Sequence, residues 1–350
     1  MSPRNSVQKT VLITGGGTGG HLSVAKSFID EFYSRGYKVI FIGSTKGQDK
    51  KWFENYPNIS QSYFLDTRGV VDQNFLGKIS SLWMIFKAVL KSISIIRKNN
   101  VTKVVSVGGF SAAAASFAAI LARTDFYIHE QNSIVGKLNK LTSKYAKEVF
   151  SSYLPSSKVK DYPINEKFFK NARIRKTIKT IIFLGGSQGA KGINEFALKI
   201  APVLKQKDIQ IIHQTGKNDF LEIQKRYEEL GIEADVFDFS TELLEKMNQS
   251  DFAVSRSGAS TLWELVALGI PTFFIPFPFA ASNHQYYNAK YLVENDLCFL
   301  QEEKNLDENY FFKCLEQSSE NDLEVKSKKL IDTIHRDAVK NIVDIIEEKL

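Results

Sequence analysis

Cysteine is scarce in this chain of 350 residues: Cys298 and Cys314 are its two cysteines, and neither has a CxxC or CxxxC spacing. That excludes a disulfide scaffold, fits a reducing compartment and argues against a structural zinc site. Long apolar runs are missing as well. No uninterrupted stretch could span a bilayer, and the opening MSPRNSVQKT has no apolar signal core. There is no HExxH or other metal-ligand cluster, no GxSxG elbow, and no carboxylate pair whose spacing marks a glycosidase. The formal charge of +7 favours an anionic partner, without choosing among nucleic acid, membrane surface and phosphorylated substrate. No RNP, zinc-finger or helix-turn-helix pattern occurs, so nucleic acid is the weakest of the three.

What is present is a globular composition, 43% hydrophobic and 24% charged, in a chain long enough for two cores. Val11 to Thr14 reads as a buried strand, followed by Gly15-Gly16-Gly17-Thr18-Gly19-Gly20-His21. A helix from about Leu22 to Ser34 stops at Gly36, and Tyr37 to Gly43 is the next strand, which makes a βαβ unit. Glycines alone do not identify a dinucleotide site. Gly43-Ser44-Thr45-Lys46 also lacks the acid that would hold an NAD ribose. Strands at Val104–Val107 and Phe126–Ile128 end in Gly108-Gly109-Phe110-Ser111 and His129-Glu130-Gln131-Asn132. Residues 133–154 add a helix and a short strand. Thr180 to Leu184 with Gly185-Gly186-Ser187-Gln188-Gly189-Ala190 then repeats the opening, and strands follow near Ile209–Gln214, Asp235–Phe239 and Asp251–Ser255.

The expected fold is therefore α/β, with two doubly wound Rossmann-like domains facing across a cleft. Residues 1–160 form the first and 161–330 the second, with Leu154 to Lys176 as linker. The helix in 331–350 is expected to pack back on the N-terminal domain.

The stretch from Ser255 to Gln285 has the chemistry of a nucleotide pocket. A small-residue turn, Ser257-Gly258-Ala259-Ser260-Thr261, opens a helix whose N–H groups can approach an anion closely. Glu264, one turn in, could reach sugar hydroxyls, or could close a capping box with Thr261. A second strand, Pro271 to Ile275, and a proline-rich loop lead to His284 and Gln285. His21 has two readings, a local hydrogen-bonder at a helix start, or a functional group in the glycine crevice, as a general base or an acceptor-phosphate contact. Phe75 to Lys98 is an amphipathic helix, apolar beyond the needs of one core face and interspersed with lysines. It suits either a core face or a membrane interface.

GGGTGGH, HEQN, GGSQGA and SRSGASTLWE, with HQYYNA after the proline loop, together resemble the bacterial transferases that make lipid II in peptidoglycan synthesis. The resemblance runs from Val11 to Leu300 in matching order. It implies the GT-B architecture and inverting transfer of N-acetylglucosamine from UDP-GlcNAc to the muramyl 4-hydroxyl of undecaprenyl-linked lipid I. It implies Thr18, Gly19 and Gly20 near the donor diphosphate and sugar, Asn132 at the GlcNAc group, Ser187 at the diphosphate and Ser240 at uracil. Ala259, Ser260 and Thr261 would hold phosphate, Glu264 the ribose and Gln285 the sugar. His21 is the expected base, with Glu130 in reserve. No cofactor is required, and a divalent cation is not implied. Trp83, Ile85, Phe86 and Lys87 become a docking patch for anionic lipid at the cytoplasmic face of the inner membrane. The chain departs from the family's pattern at Leu22-Ser23-Val24, at Asp161-Tyr162-Pro163-Ile164-Asn165, where Asn165 replaces a donor-contacting arginine, and at His284-Gln285, where the family has two glutamines. A related enzyme with another lipid acceptor and a non-catalytic nucleotide-sugar-binding scaffold are the alternative readings.

Overall fold

A computed structural model describes residues 8–67, 75–186, 188–318 and 320–348, with side chains described outside 75–82 and 320–321. The chain divides into two compact units, Met1–Ile164 with Asp337–Leu350, and Asn165–Arg336. The first unit runs β1 (Thr10–Thr14), α1 (Gly19–Ser34), β2 (Lys38–Ser44), α2 (Asp49–Phe53), β3 (Gln61–Leu65), α3 (Phe75–Lys98), β4 (Val101–Ser106), α4 (Ala113–Ala122), β5 (Asp125–His129), α5 (Lys137–Thr142) and β6 (Glu148–Phe150). Among the described residues its strands form one sheet in the order β3-β2-β1-β4-β5-β6, every pair parallel.

A parallel sheet covered on both faces demands strands that are apolar throughout. β1 is buried along its whole length, and Val39 to Ile42 of β2 show no exposure. α1 turns Leu22, Val24, Ala25, Phe28, Ile29 and Phe32 inward. It closes in a left-handed Gly36, with the Gly36 and Tyr37 amides donating to the Tyr33 and Phe32 carbonyls at 2.9 and 3.1 Å. α4 places Ala114, Ala115, Ala118 and Ala119 in the buried core, and these small side chains let α3 pack closely against it.

The second unit runs α6 (Glu166–Lys170), β7 (Thr180–Leu184), α7 (Lys191–Gln206), β8 (Gln210–Gln214), α8 (Phe220–Glu229), β9 (Ala234–Phe237), α9 (Leu243–Gln249), β10 (Phe252–Ser255), α10 (Ala259–Ala267), β11 (Thr272–Phe274), α11 (His284–Val293), β12 (Phe299–Leu300), α12 (Glu308–Gln317) and α13 (Glu320–Thr333). Its sheet order, β12-β11-β10-β7-β8-β9, is the same winding repeated. The core here is aromatic, with Phe183, Phe196, Phe273 and Phe311 among its members.

The last helix, α14 (Ala338–Glu348), belongs to the first unit and packs against α1. Arg35 at the end of α1 pairs with Asp344 at 2.6 Å and Glu347 at 2.5 Å, and donates to the Lys340 carbonyl. Lys103 of β4, fully buried, donates its ammonium to the Ile346 carbonyl at 2.9 Å. A cation there suits the carbonyl-rich end of a helix.

The unit boundaries fall at 164/165 and 336/337 rather than at 160/161 and 330/331. The stretch read as a linker is packed at both ends. Tyr162 and Ile164 are buried in the first unit, and Arg175 is buried in the second, where it donates to the Arg173 and Leu268 carbonyls. Asn165 caps α6 by accepting from the Lys167 amide at 2.9 Å. Among the described residues no helix is long and apolar enough to cross a membrane.

Candidate functional site

In each sheet the winding reverses direction beside its first strand, between β1 and β4 in the first unit and between β7 and β10 in the second. Ligands of doubly wound sheets bind outside the carboxyl ends of the strands at such a switch point. The two glycine-rich segments of the first unit meet there. The Gly16 amide donates to the Gly108 carbonyl at 3.2 Å, and a side chain on left-handed Gly109 would overlap the Gly16 carbonyl. Thr18 is the N-cap of α1, yet its hydroxyl lies 2.9 Å from Nδ1 of His21 instead of capping an amide. Gly19, Gly20 and His21 form the first turn of α1, so His21 is a helix residue held by its neighbour. A side chain at Gly108 would come within 3.7 Å of the His21 ring.

The HEQN segment divides in two. His129 lies in the core, edge-on to Phe28 and Tyr162, and burial, with His21 nearby, pushes its pKa down to about 3. Glu130 is buried and accepts from the Asn132 amide at 3.0 Å, the Gly136 amide at 2.9 Å and Asn139 Nδ2 at 2.8 Å. Gln131 donates to the Val107 carbonyl and accepts from the Tyr162 hydroxyl, both at 3.1 Å. Asn132 is the half-exposed member. One residue at this site has no sequence signal. Asp49, fully buried at the start of α2, accepts from the Gly17 amide at 2.6 Å and the Ser44 amide at 2.8 Å.

In the second unit the switch point gathers the turn from Ser257 to Thr261, Glu264 and Gln285. α10 starts at Ala259, directly after the carboxyl end of β10, with Gly258 as N-cap and no side-chain capping bond. Thr261 and Glu264 are therefore both inside the helix, and the capping-box reading is excluded. No hydrogen bond or ion pair reaches the Glu264 carboxyl among the described residues. The residue is partly exposed, and desolvation raises its pKa to about 7.

Ser257 donates to the Gln285 carbonyl at 2.8 Å, and Asn288 donates to the Ser257 carbonyl at 3.2 Å. Gln285 Oε1 accepts from the Phe277 amide at 2.9 Å, and Nε2 lies 3.9 Å from the place a side chain on Gly258 would take. Both His284 and Gln285 stand on the first turn of α11 rather than on a loop, and His284 Nδ1 is 2.9 Å from the Ala281 carbonyl. Arg256 ties the turn down, donating to the carbonyls of Ile275 and Pro276 and pairing with Glu303 at 2.5 Å.

Ser187 lies outside the described residues. Around it, Gly189 and Gly216 abut so closely that a Cβ on either would strike the other's loop. The buried His213 braces the latter loop through Tyr227 and Asn194, which in turn donates to the Thr215 carbonyl. Ser240 is three residues beyond β9, half-exposed, with its hydroxyl accepting from the Glu242 amide at 2.9 Å.

α3 presents Trp83, Phe86 and Leu90 outward at 57%, 51% and 52% exposure, and Trp83 and Phe86 stack at 5.6 Å. Lys87 lies over the Trp83 ring. Ile85 does not share that face; it packs against the first unit's core.

Residues 11–151 match the glycosyltransferase family 28 N-terminal domain, and residues 180–342 match its C-terminal domain. A UDP-N-acetylglucosamine–N-acetylmuramyl-(pentapeptide) pyrophosphoryl-undecaprenol N-acetylglucosamine transferase from Sulfurovum sp. (strain NBC37-1) is 49% identical over 97% of this chain and 98% of its own. One from Sulfurimonas denitrificans is 48% identical over 95% and 96%. A crystal structure of MurG from Acinetobacter baumannii superposes with a TM-score of 0.78 at 26% identity, covering 97% of this chain and 99% of that one. The chain belongs to glycosyltransferase family 28 and, within it, to these N-acetylglucosamine transferases.

Proposed function

We propose that the chain transfers N-acetylglucosamine from UDP-GlcNAc to the muramyl 4-hydroxyl of lipid I, with inversion at the anomeric carbon. The new bond joins that hydroxyl oxygen to the anomeric carbon as the bond to the UDP oxygen breaks. UDP leaves with the electron pair, and the hydroxyl proton passes to His21. The observation that carries the donor half is Glu264: a desolvated carboxyl that no hydrogen bond or ion pair reaches among the described residues, one turn inside a helix whose N-cap is a glycine. Amides at the start of α10 suit the diphosphate, and the carboxylate one turn further suits a ribose diol. Gln285 and Asn132 would meet the sugar, Ser240 the uracil and Ser187 the diphosphate.

His21 is the base in this reading because Thr18 already fixes its Nδ1, which orients the ring toward the space beside Gly108. Glu130, with three donors on its two oxygens, holds the turn that carries Asn132. The undecaprenyl acceptor places the work at the cytoplasmic face of the inner membrane. Trp83, Phe86 and Leu90, with Lys87, supply an apolar face beside a positive charge for anionic lipid.

Two variants test the roles together. His21→Ala is expected to lower kcat by roughly 100- to 10,000-fold while UDP-GlcNAc still binds. Glu264→Ala is expected to raise the KM for UDP-GlcNAc. Near-normal turnover in the first, or an unchanged KM in the second, would refute the corresponding role.

A further inference from the structure

We propose that Asp49 is a positioning residue for the reaction: it fixes the glycine-rich turn before α1 and, through it, the Thr18–His21 pair. This rests on the reading of His21 as the base. The carboxylate is fully buried and bridges two strand ends, accepting from Gly17 N–H with one oxygen and from Ser44 N–H with the other, at 2.6 and 2.8 Å. Its surroundings leave no slack. A Cβ on Gly16 or Gly43 would meet Asp49 within 2.6 to 2.8 Å.

A second contact holds the same point from the same loop. Gly47, left-handed at φ +82°, lies so close that a Cβ there would come within 2.8 Å of the Gly17 carbonyl. Gln48 reaches toward Gly19, 3.9 Å from where a side chain on that residue would start. On its other side Gly17 is closed by the Phe110 ring, 2.5 Å from its would-be Cβ. Thr18, the next residue, owes its position to this clamp, and its hydroxyl holds His21 Nδ1. A buried carboxylate accepting two backbone amides makes strong charge-assisted bonds. Replacing one oxygen by an amide nitrogen leaves a backbone N–H facing a donor.

Asp49→Asn keeps the size and loses one acceptor. Gly47→Ala attacks the same clamp from the backbone. Both are expected to lower kcat by roughly 10- to 100-fold, as small misplacements of a catalytic group do. UDP-GlcNAc affinity is expected to fall much less than kcat, since Glu264, Gln285 and the start of α10 lie in the other unit and only the Thr18–Gly20 turn would touch the donor from this one. The His21 imidazole 15N shifts are expected to move, because Nδ1 loses its fixed partner.

Wild-type kcat and His21 shifts in both variants would overturn the proposal. So would a loss of kcat that tracks equal losses in Tm and donor affinity, which marks a purely structural role. His21→Ala, measured alongside, separates the two readings. If it is inactive while both clamp variants turn over normally, only the Asp49 inference fails. If it turns over normally, the base assignment fails first.

Discussion

Three titratable groups with shifted pKa values make stability and binding depend on pH, and the signs follow from the direction of each shift. Glu264 has a folded pKa of about 7 against an ordinary 4.5. Between those values the folded chain holds more protons than the unfolded one, so stability falls as pH rises through the window. Glu264→Gln is expected to raise Tm at pH 8, with the gain fading toward pH 5. Ribose hydroxyls would stabilise the ionised form, so UDP-GlcNAc affinity is expected to rise from pH 6 to pH 8 in the wild type and to stay flat in Glu264→Gln. An equal pH dependence in both proteins, measured by calorimetric titration, would remove Glu264 from the ribose site. His129 and His213 shift the other way, from 6.5 to about 3, because burial penalises the imidazolium. The unfolded chain then binds the extra protons, and stability is expected to drop as pH falls from 6.5 toward 3.

Glu264 and His21 were legible as residues because each stands in a spaced motif. Asp49 was not. An acid five residues past a strand carries no pattern until the chain folds it under Gly17.

At the scale of elements, the apolar strands were readable because burial on both faces forces apolar runs, as in β1, β2 and β7. β3 and β12 were missed for the converse reason. They sit at sheet edges, and their partly exposed sequences, Gln61 to Leu65 and Phe299-Leu300, lack such a run. The start of α10 shows how local pattern misleads. Thr261 and Glu264 have capping-box spacing, but the cap is Gly258, three residues earlier. α3 divides by face. Trp83→Ser with Phe86→Ser is expected to reduce sedimentation with vesicles containing anionic lipid, leaving UDP-GlcNAc affinity unchanged. Ile85→Ala, on the inward side, is expected to lower Tm and leave vesicle binding alone. Loss of vesicle binding in Ile85→Ala but not in the double variant would place the docking face elsewhere.

For the whole molecule, the duplicated winding was legible because the strand–glycine–helix opening occurs twice. The return of α14 to the first unit is held by contacts that no local pattern records: Arg35 and Asp344 are 309 positions apart. Arg35→Ala would leave Glu31, Asp344 and Glu347 around a vacated cation. It is expected to cost about 1 kcal/mol, read as a Tm lowered by a few degrees and narrowed by added salt. No change in Tm would mean that the apolar face of α14, with Ile342, Val343 and Ile346, holds it unaided.

The central claim is the transfer itself. Purified protein with UDP-GlcNAc and lipid I in detergent should release UDP only when the lipid is present, in step with formation of the disaccharide-bearing lipid II. UDP-GlcNAc binding by a folded preparation, with no lipid I-dependent UDP release, would contradict it.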